Sequence, residues 1–167
     1  MENLEKHTQM HTVHITHVFD APREAVWNAW TTSESIKKWW GPRTYTCPEA
    51  KIDLRAGGKY LYAMKPQTGK IVWGGGTFTE VTKPSRLVCT DSFMDEKGRI
   101  VSPTEYGMPT DFPRELYITL TFEEQQNKTK LTLIHKGFPN EQVVSDCMIG
   151  WNESLDKLDE LLQKQKK

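Results

Sequence analysis

Tyr62, Asp91, Tyr117 and His135 are two phenols, a carboxylate and an imidazole, each set in a segment otherwise rich in apolar residues. A buried group of this kind needs a hydrogen-bond partner, and a bound molecule can supply one. Asp91 and His135 could also move protons, the work of a general acid and base. Around them the chain carries six tryptophans, five tyrosines and six phenylalanines. Of these, Trp30, Trp39, Trp40, Tyr60, Trp73, Phe78, Phe93, Phe112 and Trp151 are candidates to wall a pocket, with Met108, Met148 and Leu155. Converging, they would suit a flat hydrophobic or aromatic molecule. Packed core is the competing reading for each aromatic, and a backbone-bonded position the competing one for His135.

Other chemistry finds less support. His7, His11, His14 and His17 raise a metal site, but residues three apart on a strand point to opposite faces, so no metal is expected. Gly74-Gly75-Gly76 lies inside a strand and lacks the spacing of a phosphate loop, so a bulge or bend is expected there instead. No G-x-S-x-G or H-E-x-x-H occurs, and a Cys–His dyad has no local support. Cys47, Cys89 and Cys147 form no C-x-x-C pair and suit a reducing compartment as small core or surface thiols. No cofactor is expected.

Lys plus Arg and Asp plus Glu both number 22, which gives no net field toward nucleic acid or anionic lipid. No stretch approaches a membrane span, and Met1 to Met10 has no apolar run of signal-peptide length. No nucleic acid, no membrane insertion and a cytoplasmic location are expected. These features do not set an oligomeric state.

Positioning the candidate groups falls to elements that the hydrophobic pattern outlines. Val13, Ile15, His17 and Phe19 alternate with Thr12, His14 and Thr16, the period of a strand with one face inward. Pro22 fits the first turn of a helix carrying Val26, Trp27, Ala29 and Trp30. A second short helix is expected over Ser33 to Trp39, with Ser33 as N-cap and Gly41-Pro42 as its stop. Strands are expected at about 45–55, 58–65, 71–82, 85–93, 115–124 and 129–136, an antiparallel meander. The stretch from Met94 to Arg114 is too long for a hairpin loop, and its Tyr106, Met108 and Phe112 suggest a lid over a cavity mouth.

The last helix, about 140–164, is capped by Asn140 and buries a stripe of Val144, Cys147, Met148, Trp151, Leu155, Leu158, Leu161 and Leu162. Its other side faces water, with Glu153 to Lys157 and Glu160 to Lys164 as i to i+4 pairs. One helix is narrower than a curved seven-stranded sheet, so large side chains or a ligand must fill the space between them. The fold class is therefore α+β: residues 1–11 a flexible segment, 12–165 a single domain.

The segments Ala21-Pro22-Arg23, Trp39-Trp40-Gly41-Pro42, Asp53 to Lys59, Gly75-Gly76-Thr77-Phe78 and Gly150-Trp151-Asn152 carry a resemblance. In that order, they resemble bacterial activator-of-heat-shock-protein-90-ATPase homologue-like proteins. These belong to the START, polyketide cyclase and birch-pollen allergen (SRPBCC) superfamily. The resemblance spans about residues 12 to 163 and implies a helix-grip fold, a curved antiparallel sheet wrapped around a long C-terminal helix. It implies three functions, in descending order of support: carriage of a small hydrophobic molecule in the cavity, polyketide cyclase-like catalysis by polar cavity residues, and chaperone binding as an adaptor.

Overall fold

A computed structural model describes residues 11–166; residues 1–10 of the expected N-terminal segment, His7 among them, lie outside the described residues. Among the described residues there are seven strands: β1 (Thr12–Phe19), β2 (Ala50–Ile52), β3 (Lys59–Met64), β4 (Val72–Thr82), β5 (Arg86–Met94), β6 (Leu116–Gln125) and β7 (Lys128–Lys136). They form one antiparallel sheet in the order β1-β7-β6-β5-β4-β3-β2, a meander onto whose last strand β1 folds back. The expected α+β class holds, and the strands fall close to their expected places. β2 is the exception, three residues instead of about eleven. Pro48 has no N–H to give a ladder, and the chain meets β3 upstream of it only through a single bridge between Thr46 and Lys65.

Inward alternation follows from the sequence. On β1 the buried side chains are Val13, Ile15 and Phe19, and half-buried His17 shares their face while His14 lies exposed on the other. On β7 they are Thr129, Leu131, Leu133 and His135.

Helix α1 (Arg23–Thr31) begins just after Pro22, which stands outside the first turn and accepts the Ala25 and Val26 N–H groups on its carbonyl. Helix α2 (Ser33–Trp39) starts at Ser33 itself; Thr32 occupies the cap position, contrary to expectation. Thr32 gives its hydroxyl to the Asn28 carbonyl at the end of α1, so neither residue caps α2 through a side chain.

Helix α3 (Glu141–Gln165) has 25 residues and, at about 1.5 Å each, spans the width of the domain. Asn140 caps it as expected, accepting the Val143 N–H at 3.0 Å. No helix among the described residues is long and apolar enough to cross a membrane.

The polar side of α3 behaves differently from expectation. Among the described residues the Glu153–Lys157 and Glu160–Lys164 pairs do not form. Instead Lys157 donates to the carbonyls of Gly41, Pro42 and Tyr45 at 3.0, 3.4 and 3.2 Å. Glu160 receives the Arg43 guanidinium through two 3.0 Å bonds, and Glu153 takes the Arg43 backbone N–H. The segment after α2 runs beside α3 and offers carbonyls that no strand satisfies, so the helix clamps it rather than pairing along its own face.

The expected bend in β4 falls at Gly76-Thr77, where the β4–β5 ladder is interrupted and Thr77 N–H turns to the Thr90 hydroxyl at 2.9 Å. A Cβ on Gly76 would lie 2.0 Å from the Thr90 carbonyl oxygen, so only glycine permits this approach. A separate register shift follows between Phe78 and Glu80.

Candidate functional site

Between the sheet and the first half of α3 lies a cavity of about 460 Å³. That is within the range of small-molecule sites. Its inner wall is buried Tyr60, Tyr62, Leu116, His135, Phe138 and Trp151, and its rim includes half-buried Met108, Pro113 and Val143 with exposed Asp146. The aromatic rings are continuous around it. Trp40 lies 4.9 Å from Tyr62 and 5.5 Å from Trp151, while Phe112 lies 5.6 Å from Phe93 and 6.3 Å from Phe138.

One hydrogen-bonded chain crosses this wall. Trp151 on α3 donates its indole N–H to Nδ1 of His135 on β7 at 3.1 Å, and Nε2 of His135 meets Oδ2 of Asp91 on β5 at 2.9 Å. An indole nitrogen can only donate, so Nδ1 accepts and the network assigns the imidazole proton to Nε2, directed at the carboxylate. Both imidazole nitrogens are thereby engaged. Among the described residues the other Asp91 oxygen has no hydrogen-bond partner, and Asp91 lines the cavity.

The two inner tyrosines differ. Tyr60 donates to the Thr90 carbonyl at 2.6 Å, an acceptor that the Gly76 bend leaves outside the ladder. Tyr62 makes no hydrogen bond through its hydroxyl among the described residues, although it is only 5% exposed. Burial pushes both phenols well above their ordinary range, so both act as hydroxyls.

Cys147 comes to 3.8 Å from Nδ1 of His135, a Cys–His–Asp arrangement that sequence spacing does not disclose. It is not set up as a nucleophile. The Trp151 N–H already occupies Nδ1, and burial, with Asp91 nearby, pushes the Cys147 thiol up to about 12.

Of the candidates, the structure gathers Trp40, Tyr60, Tyr62, Asp91, Phe93, Met108, Phe112, His135 and Trp151 around the cavity. The others stand elsewhere. Trp39 is fully buried between Trp30 and Trp40 and donates to the Ala29 carbonyl. Trp30 and Phe78 border a separate void of about 20 Å³ behind Trp40, Tyr60, Tyr62 and Trp151. Leu155, one turn past Trp151, is sealed in the core, and Met148 is half-buried on the flank of α3. Trp73 alternates with Val72 and Gly74, which line the cavity, so it faces the far side of the sheet. Tyr117 alternates with buried Leu116 and Ile118, stands 45% exposed and donates to Glu115.

The 94–114 stretch divides. Met108, Phe112 and Pro113 join the cavity wall. The part before them folds against the opposite face: Gly98 sits over Leu61, which points away from the cavity between Tyr60 and Tyr62. Tyr106 anchors the crossing by donating to the Met94 carbonyl at 2.6 Å. Sequence reasoning missed Cys147, Phe138 and Asp146 as lining residues; Cys147 was accessible, lying four residues before Trp151 on one helical face. Among the described residues no cluster of His, Cys, Asp and Glu is placed to hold a metal ion.

The family described as Activator of Hsp90 ATPase homolog 1-like protein matches residues 20–163. A Chromobacterium violaceum crystal structure is 25% identical with a TM-score of 0.74, over 91% of this chain and 96% of that one. A solution structure from Arthrobacter aurescens is 26% identical with a TM-score of 0.73, over 93% and 88%. A Nitrosomonas europaea structure shares the fold at 23% identity and a TM-score of 0.75, over 94% and 97%. A comparison with curated proteins finds no match.

Proposed function

Because the chain belongs to the Activator of Hsp90 ATPase homolog 1-like family, and because its interior is open where the sheet meets α3, we propose that it binds a small, largely hydrophobic or aromatic molecule in that cavity. The cavity of about 460 Å³ carries the reading. Rings and aliphatic side chains supply most of its lining, so burying an apolar guest there releases ordered water from both surfaces, worth about 25 cal/mol per Å². Binding asks nothing further of the site, whereas catalysis would need a reactive group free to act.

A second reading rests on Asp91. Its uncommitted oxygen borders the cavity, and a carboxylate there could take a proton from an enolisable guest while His135 steadies it from behind. This is the cyclase-like alternative.

Denaturing extraction of the purified protein followed by mass spectrometry tests the binding reading. A stoichiometric apolar compound is the expected result. If nothing is recovered and a larger side chain at the cavity wall, Cys147→Phe, leaves the binding of aromatic probes unchanged, the cavity is not a binding site. Turnover of polyketide-like substrates abolished by Asp91→Asn would move the conclusion to the cyclase-like reading.

A further inference from the structure

The charge of the lining points to more than an apolar guest. Two carboxylates, Asp91 and Asp146, border the cavity, and among the described residues no lysine or arginine does. The imidazole beside Asp91 does not supply the missing cation, because Trp151 N–H faces Nδ1 and leaves His135 with the single proton it gives to Oδ2. The other Asp91 oxygen and the Tyr62 hydroxyl, in a residue 5% exposed, have no hydrogen-bond partner among the described residues. Both can accept hydrogen bonds. Trp40, Phe93, Phe112 and Trp151 also line the cavity, and an aromatic ring attracts a cation that approaches its face.

Resting on the binding reading above, we propose that the cavity selects a cationic amphiphile, an apolar or aromatic body bearing one ammonium group, and rejects the corresponding carboxylate. The ammonium donates to Asp91 and to the Tyr62 oxygen, and the apolar body lies against the rings. An anionic guest would place its charge beside Asp91 with no cation to neutralise it, in surroundings poorer in water than the surface.

Three matched probes test this at pH 7.5 by titration calorimetry: naphthalen-2-ylmethylamine, naphthalen-2-ylmethanol and naphthalen-2-ylacetic acid. The amine is expected to bind at least tenfold tighter than the alcohol, and the acid more weakly than the alcohol. Asp91→Asn is expected to bring the amine's affinity to within about twofold of the alcohol's in the same variant, with far-UV circular dichroism and the urea midpoint checking that the variant is folded. Asp146→Asn, at the exposed rim, is expected to change the ratio less than twofold.

The alcohol separates the two levels of the argument. If it binds and the three probes are indistinguishable, or the acid is tightest, the charge selection is overturned and the binding reading stands. If none of the three binds the folded protein, both are overturned. If the amine's advantage survives Asp91→Asn and disappears in Asp146→Asn, the assignment to Asp91 is wrong.

Discussion

The two halves of α3 cover the same sheet with opposite results. Toward its C-terminal end, Leu155, Leu158 and Leu162 are at most 2% exposed and belong to one core with Val13, Phe19, Trp27, Phe122, Leu131 and Leu133. Toward its N-terminal end, Val143, Cys147 and Trp151 look onto open space. In the first region β1, β7, α1 and α3 meet as layers, and the hydrogen bond between His17 and Asp159 at 2.9 Å ties α3 to β1. In the second the β4–β5 ladder is interrupted at Gly76-Thr77, and aromatic residues stand around the space instead of across it. Close packing and open space are thereby assigned to different lengths of one helix.

Several measurements would break or sharpen this contrast. Thiol reactivity should show the largest effect. Cys89 and Cys147 are both pushed from 9.0 up to about 12 by burial. Being acids with raised pKa, they hold less thiolate at every pH below that value. At pH 8 their native thiolate fraction should be roughly a thousandfold below that of the unfolded chain, recovering as pH rises toward 12. Iodoacetamide labelling read by mass spectrometry checks this; rapid native labelling of Cys147 would mean that the cavity half opens readily to solvent.

Next in size, Leu158→Ala should cost about 3 kcal/mol in urea unfolding, because the packed half has no way to collapse around the hole. Val143→Ala, at a rim already open, should cost less than about 1 kcal/mol. Equal losses would erase the distinction between the halves. Trp151→Phe keeps an aromatic ring but removes the indole donor to His135, leaving Nδ1 only the weak Cys147 thiol at 3.8 Å, at a cost of about 1–2 kcal/mol. A smaller shift than Val143→Ala would show that the hydrogen-bonded chain does not hold the wall. The smallest effect belongs to Ser92, whose buried hydroxyl has no partner among the described residues. Ser92→Ala should be neutral or stabilising by a few tenths of a kcal/mol in the same denaturation assay.

The sequence makes the strands legible wherever one face is apolar and the other polar. Leu131, Leu133 and His135 share a parity on β7, and Leu116, Ile118, Leu120 and Phe122 share one on β6, which also sets Tyr117 outside. That parity fails where both faces are covered. On β3, Leu61, which Gly98 covers, and Ala63 are buried while Tyr60 and Tyr62 are buried at the cavity, so the burial string shows no alternation. Trp73 suffers from the same cause, since its glycine neighbours carry no side chains to reveal a face. Along α3 the apolar stripe is continuous, and nothing in its spacing shows where close packing gives way to open space between Leu155 and Trp151. The partnership of Asp91 with His135 depends on two strands separated by β6, a relation that local pattern does not contain.

The placement of β1 sets the order in which this chain can assemble. Its ladder partners run from Thr129 to Lys136, and its tie to α3 joins groups 142 residues apart in sequence. During synthesis β1 and the apolar side of α1 must therefore wait, uncovered, until β7 and α3 have left the ribosome. Contacts of such long range slow the search for the native state and prolong the interval in which apolar strands can aggregate. A nascent chain halted before β7 should accordingly be a substrate for general folding assistants.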